Sequence, residues 1–128
     1  MIVIGVGSAL GGLARVLTGM VCVEVLAWPL QVATAWVNVS GAFLIGLVHV
    51  LTRPEARYAA GVRLRQGLLA GFFGGYTTFS ILSAETLALL EAGALVAGVV
   101  HMAGSSALAL LGVALGHGLG LRLNASRR

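Results

Sequence analysis

Lysine is absent from this chain, and charged residues of every kind make up only 9% of it. Hydrophobic residues make up 59%, and the mean hydropathy is +1.01. A soluble fold of 128 residues has too little interior to hide that much apolar surface. The shortage of charge therefore excludes a water-soluble domain and points to the lipid bilayer as solvent. A single cysteine, Cys22, excludes an internal disulfide framework. No nucleophile–base pair, metal-ligand cluster or phosphate-binding loop can be read, so an enzyme is not implied. The net charge of +4 comes from arginine alone. With this hydropathy, membrane topology explains the basic balance better than nucleic acid does.

What is present is glycine and long apolar runs. A hydrocarbon core of about 30 Å takes roughly 20 apolar residues per helix. The length allows four spans, which we read at about 2–24, 31–52, 66–90 and 94–121. The expectation is an all-α membrane protein whose residues 1–128 form a single four-helix transmembrane domain. Met1-Ile2-Val3-Ile4 has no basic leader and reads as the start of the first span. Trp28-Pro29 suits an interfacial turn, and Glu91-Ala92-Gly93 suits a tight one. Nineteen glycines fit helices that approach closely, and the stripe Gly5, Gly12, Gly19 predicts a helix–helix contact face.

Arginine is distributed unevenly. Arg53, Arg57, Arg63 and Arg65 lie between spans two and three, and Arg122, Arg127 and Arg128 lie in the tail. The two turns on the opposite side hold none. This bias predicts one fixed orientation in the inner (plasma) membrane, multi-pass, with both termini cytoplasmic.

Polar residues at membrane depth are the functional candidates. The segment Gly71-Phe72-Phe73-Gly74-Gly75-Tyr76-Thr77-Thr78-Phe79-Ser80 interrupts the third apolar run. Twin glycines followed by two threonines loosen a helix and free backbone groups that must face protein, water or an ion. Asn38, in the middle of span two, offers amide donors that suit a dehydrated anion or serve as interhelical glue. Phe79 has a positive ring edge, Ser80 and Ser105 carry hydroxyls, and His101 shares a face with Ser105. A lone histidine without a carboxylate beside it is a weak proton-relay signal. Arg15, inside span one, either lines a vestibule for anions or pairs with Glu85.

With these residues in place, the chain resembles the Fluc/CrcB family of fluoride channels. The resemblance rests on Gly11-Gly12-Leu13-Ala14-Arg15, on Val37-Asn38-Val39-Ser40-Gly41-Ala42-Phe43 and, most specifically, on Gly71 to Ser80 continuing to Glu85. It covers nearly the whole chain. It implies an antiparallel dimer that passes fluoride passively out of the cell. It implies a fluoride pathway through Asn38, Phe79 and Ser105, to which the residue chemistry adds the Ser80 hydroxyl and Arg15 at the mouth. It also implies a sodium ion buried at the dimer centre on carbonyls at Gly74 and Thr77.

The chain departs from that pattern where Ile81-Leu82 stands for Thr-Phe, which removes a second pore phenylalanine, and where His101 stands for a tyrosine. A homodimer of opposed subunits needs one sequence to insert both ways, and the arginine bias opposes that. The expectation is a heterodimer with a homologous antiparallel subunit of opposite bias. The rival readings are a non-conducting partner subunit and, more distantly, a proton-coupled small multidrug exporter, for which Glu24 is poorly placed.

Overall fold

A computed structural model of the chain describes residues 1–56 and 58–125. Arg57, Arg127 and Arg128, three of the arginines in the charge bias, lie outside the described residues. Four helices are long and apolar enough to cross a membrane: Ile2–Val25, Leu30–Leu51, Val62–Glu91 and Leu95–Ala125. No strand occurs among the described residues. The third span starts at Val62 rather than 66, and the fourth runs to Ala125 rather than 121.

Helix α1 covers Ile2–Met20 and widens into a π-helical turn at Val21–Val25. Helix α2 covers Leu30–Leu51 and follows Pro29, whose fixed φ suits a helix start. The third span is two helices. The first, α3, joins Val62–Gln66, a π-helical stretch Gly67–Phe73 and Gly74–Tyr76; the second, α4, covers Phe79–Glu91. A turn closed by Gly93, at φ 77°, leads into α5. Helix α5 runs through Leu95–Val99, a π turn at Val100–Gly104, and Ser105–Ala125.

Small residues decide which helices touch. A Cβ on Gly11 would strike the Phe72 carbonyl oxygen and come within 2.9 Å of the Tyr76 nitrogen, so α1 and α3 lie backbone to backbone. Gly112, Gly116 and Gly120 of α5 abut Val39, Phe43 and Val50 of α2 in the same way. In lipid, where no hydrophobic force draws helices together, this close packing holds them. Large side chains such as Leu10, Leu13, Leu17 and Leu110 face outward, as helices solvated by acyl chains require. Near the terminal end of the bundle, Arg65 donates from Nε to the Thr52 hydroxyl at 3.2 Å and from Nη2 to the His49 carbonyl at 3.3 Å. An arginine expected only as a topology signal thus also fastens the start of α3 to the end of α2.

Within this chain the expected contact stripe on α1 is not the packed face. Gly5 and Gly19 meet nothing within 4 Å, and the nearest atom to Gly12 is Nη2 of Arg15, on the same helix, at 4.0 Å. The packed face carries Gly7, Ser8 and Gly11 instead, centred roughly 90° away around the helix. Seven-residue spacing does keep glycines on one face, but it does not say which neighbour that face meets.

These contacts separate two substitutions of identical chemistry. Gly11→Ala should cost about 1–3 kcal/mol, because backbone atoms must move to admit the methyl group. Gly5→Ala should stay within about 0.5 kcal/mol of the parent. Thermal unfolding in detergent reads both, and equal losses would contradict the α1–α3 contact.

Candidate functional site

The break in the third span falls at the two threonines. Thr77 (φ −76°, ψ 156°) and Thr78 (φ −144°, ψ 123°) are extended, while Gly74 and Gly75 remain helical. The twin glycines do not themselves interrupt the helix, which corrects the sequence expectation. Gly75 instead lets α1 approach, since a Cβ there would meet the Ser8 carbonyl. The threonines are equipped to end one helix and begin another. Thr77 Oγ1 donates to the Phe73 carbonyl at 2.9 Å, and Thr78 Oγ1 accepts from the Ile81 N–H at 3.2 Å as the N-cap of α4.

Asn38 bridges the gap. Its Nδ2 donates to the Thr78 carbonyl at 2.8 Å, and its Oδ1 accepts from the Thr78 N–H at 2.7 Å. One amide side chain thereby satisfies both main-chain groups of an extended residue, which would otherwise be costly in a bilayer. The same bonds leave other groups without their helical partners. In a continuous helix the Thr78 N–H would serve the Gly74 carbonyl, and the Ile81 N–H would serve the Thr77 carbonyl. Here both donors are committed elsewhere, to Asn38 Oδ1 and Thr78 Oγ1. Gly41 makes room for the break: a Cβ there would lie 2.5 Å from Thr77 Cγ2 and 2.9 Å from Tyr76 Cδ1. Tyr76 joins three helices, its hydroxyl lying 3.2 Å from Ser40 Oγ and donating to Thr18 Oγ1 at 3.5 Å.

Two cavities flank Thr78. The first, about 280 Å³, is lined by Asn38, Thr77, Phe79, Leu82 and Ser105 among others. It brings together three of the expected pathway residues: Asn38, Phe79 and Ser105. Ser105 is buried, whereas Phe79 is 70% exposed and projects from the face of the chain. Ser80 lines neither this cavity nor the second; it is exposed, with its hydroxyl 3.2 Å from Thr78 Oγ1. Leu82, the departure from the family pattern, is buried in the cavity wall. The second cavity, about 140 Å³, holds Arg15 with Thr34, Val37 and Ile81. Thr78 lines both cavities, so the break is the partition between them.

Arg15 does not pair with Glu85. Glu85 Oε1 accepts from Thr34 Oγ1 at 2.7 Å, and Glu85 Oε2 lies 2.9 Å from His101 Nε2. Arg15 makes no hydrogen bond or ion pair among the described residues and lines the second cavity. His101 is corrected too, because a carboxylate does stand beside it. A signal for this was available in the sequence. Glu85 and His101 lie eight residues either side of Gly93, and an antiparallel helical hairpin places such positions at one depth.

Comparison with known proteins identifies similar sequences over most of the chain. The family model described as "CrcB-like protein, Camphor Resistance (CrcB)" matches residues 2–117. The fluoride-specific ion channel FluC 1 of Rhodopseudomonas palustris (strain BisB18) is 40% identical over 121 residues, covering 94% of this chain and 86% of the relative. FluC of Methylobacterium radiotolerans is 40% identical over 120 residues, covering 91% and 80%. FluC 1 of Bradyrhizobium diazoefficiens is 37% identical over 125 residues, covering 98% and 87%.

The bridge at the break should be sensitive to one side chain. Asn38→Ala leaves the buried N–H and C=O of Thr78 without partners, at about 1–3 kcal/mol each. Unfolding temperature should fall clearly, whereas Ser80→Ala should change it little. An Asn38→Ala protein as stable as its parent would show that the break is held by something else.

Proposed function

The chain belongs to the CrcB-like family, and on that premise we propose that it is a subunit of a fluoride-selective channel which lets the ion run passively out of the cell. The observation that carries this reading is the cavity beside the broken span, where Asn38, Phe79 and Ser105 converge from three helices. It is a multi-pass membrane protein, and its role is conduction rather than catalysis. The arginine bias supports an inner-membrane orientation with both termini in the cytoplasm.

Fluoride is small and holds its water tightly, so dehydration is the barrier. Asn38 uses one Nδ2 hydrogen on Thr78 and keeps a second for an anion. The Ser105 hydroxyl and the edge of the Phe79 ring add partial positive charge. Ser80 contributes an exposed hydroxyl beside the Thr78 cap. Arg15, uncommitted in its own cavity, raises the local concentration of anions at the mouth. None of the donors in the cleft carries a full charge, so the ion is replaced in its hydration without being trapped.

Sodium fits the break by the chemistry of the donors there. The carbonyls of Gly74 and Thr77 have lost their helical N–H partners, and hard oxygen donors of this kind suit a hard cation. Held by Gly74 and Thr77, sodium would supply a fixed positive charge at the centre of the assembly. Phe79, largely exposed on this chain alone, is placed to line a pathway completed by a second, antiparallel subunit. A heterodimer accommodates both the arginine bias and Leu82, since a partner with a phenylalanine there would line the better pore.

Fluoride-electrode efflux from liposomes tests the reading. Phe79→Ile should slow efflux by about tenfold, in line with the loss of an aromatic contact of about 1.4 kcal/mol. The lone chain should conduct poorly, and reconstitution with a homologous subunit of opposite arginine bias should restore rapid efflux. Fast efflux from the lone chain contradicts the pairing. No fluoride efflux from either preparation contradicts the channel.

A further inference from the structure

Positive charge gathers at the end of the bundle that carries the termini, and little there answers it. Arg53 follows α2, Arg63 and Arg65 stand at the start of α3, and Arg122 lies in the last turn of α5. The chain has four carboxylate side chains, Glu24, Glu55, Glu85 and Glu91, of which Glu55 alone shares that end. Among the described residues the one ion pair is Glu85–His101, so none of these arginines meets a carboxylate.

Arg65 is the arginine held in a fixed pose. It is half-buried, and besides its bonds to the Thr52 hydroxyl and the His49 carbonyl, its Nη2 lies 3.3 Å from Nδ1 of the His49 ring. A guanidinium has donors only, so Nδ1 accepts, and the neutral His49 ring carries its hydrogen on Nε2. Nη1 of Arg65 makes no hydrogen bond among the described residues, which leaves its N–H groups for a ligand. His117 of α5 completes the cluster, with its ring centroid 6.3 Å from that of His49. The backbone sets this approach: a Cβ on Gly46 would strike the Val113 carbonyl and lie 2.8 Å from the His117 nitrogen. Both rings are half-exposed, and His117 makes no hydrogen bond among the described residues.

These groups favour one ligand chemistry. A cation would face an unneutralised guanidinium and rings without a carboxylate beside them. A group with several anionic oxygens meets the free edge of a guanidinium fork and imidazole N–H donors together. His49 lies in the last turn of α2, so the cluster stands at the edge of the hydrocarbon. Lipid phosphates occupy that depth, and basic pockets between helices take them there. Leu110, two turns deeper on the face of α5 that carries His117 and 70% exposed, offers an apolar wall to an acyl chain.

We propose that Arg65, His49 and His117 form a phosphate-binding site between α2, α3 and α5, filled by the headgroup of an anionic phospholipid or by a free phosphate. The site does not depend on the channel reading. The test is nitrogen-15 NMR of the His49 and His117 rings in the full chain, held in phosphatidylcholine bicelles at constant pH. One arm adds inorganic phosphate, and the other replaces part of the lipid with phosphatidylglycerol. Sodium chloride at equal ionic strength is the control. Both rings should shift saturably in at least one arm. His117→Leu, which breaks no hydrogen bond in the structure, should weaken the affinity read at His49 more than about tenfold, as loss of a bond to a charged group requires. Saturation with inorganic phosphate alone supports the site with a soluble ligand, saturation with phosphatidylglycerol alone supports it with a lipid, and saturation in both shows that the phosphate group itself is recognised. Silence in both arms overturns the site. Equal shifts with chloride, or full affinity in both His117→Leu and Arg65→Gln, reduce it to diffuse attraction and overturn it as well.

Discussion

Two hydrogen bonds from one amide hold the third span open. Asn38 grips both the N–H and the C=O of Thr78, and the residue cannot return to a helix without breaking both. The rest of the site follows from that grip. The Gly74 carbonyl loses its donor, α4 starts afresh on the Thr78 cap, and Thr78 becomes the wall between two cavities. In water such an extended kink would be unremarkable. In a bilayer each unpaired backbone group costs several kcal/mol, so a kink persists only where side chains or ions answer every group. The bonds to Thr78 are those of the interhelical glue that was one of the two readings of Asn38 in the sequence. Asn38 is structural glue on its Thr78 side, and it retains a spare donor beside the cavity.

Much of this was legible in the sequence because membranes impose few alternatives. Hydropathy fixes four spans, and residues that disturb a helix in the third span stand out against an apolar background. The details that escaped have physical reasons. The break moved from Gly74-Gly75 to Thr77-Thr78 because glycine permits a distortion, whereas a threonine hydroxyl supplies the capping bonds that stabilise it. The α1 stripe of Gly5, Gly12 and Gly19 meets no other helix of this chain, because spacing identifies a face without its neighbour. Gly112, Gly116 and Gly120, spaced by four along α5, carry the contact with α2 and were the better pattern. Glu85 drew attention as a partner for Arg15 by charge, yet hairpin geometry gives it to His101.

The unevenly placed arginines and the exposed Phe79 bear on assembly from independent directions. One concerns insertion of the chain into the membrane, the other the proposed pathway, which leaves Phe79 exposed in a single copy. Leu82 adds a third strand, because it fills the cavity wall with an aliphatic side chain that offers no positive edge to an anion. Together they describe a subunit that keeps the scaffold of the break while lacking part of the expected lining. His101 belongs to the same divergence, and it is buried in partnership with Glu85.

The central claim is that Asn38 diverts the Thr78 N–H and so leaves the Gly74 carbonyl free of its helix. Isotope-edited infrared spectroscopy of the chain in lipid, with a single labelled carbonyl at Gly74, measures this directly. The account predicts an amide band away from the helical position that moves when sodium replaces a bulky organic cation, and that returns toward the helical position in Asn38→Ala. A band at the ordinary helical position, indifferent to sodium and to Asn38, would contradict it.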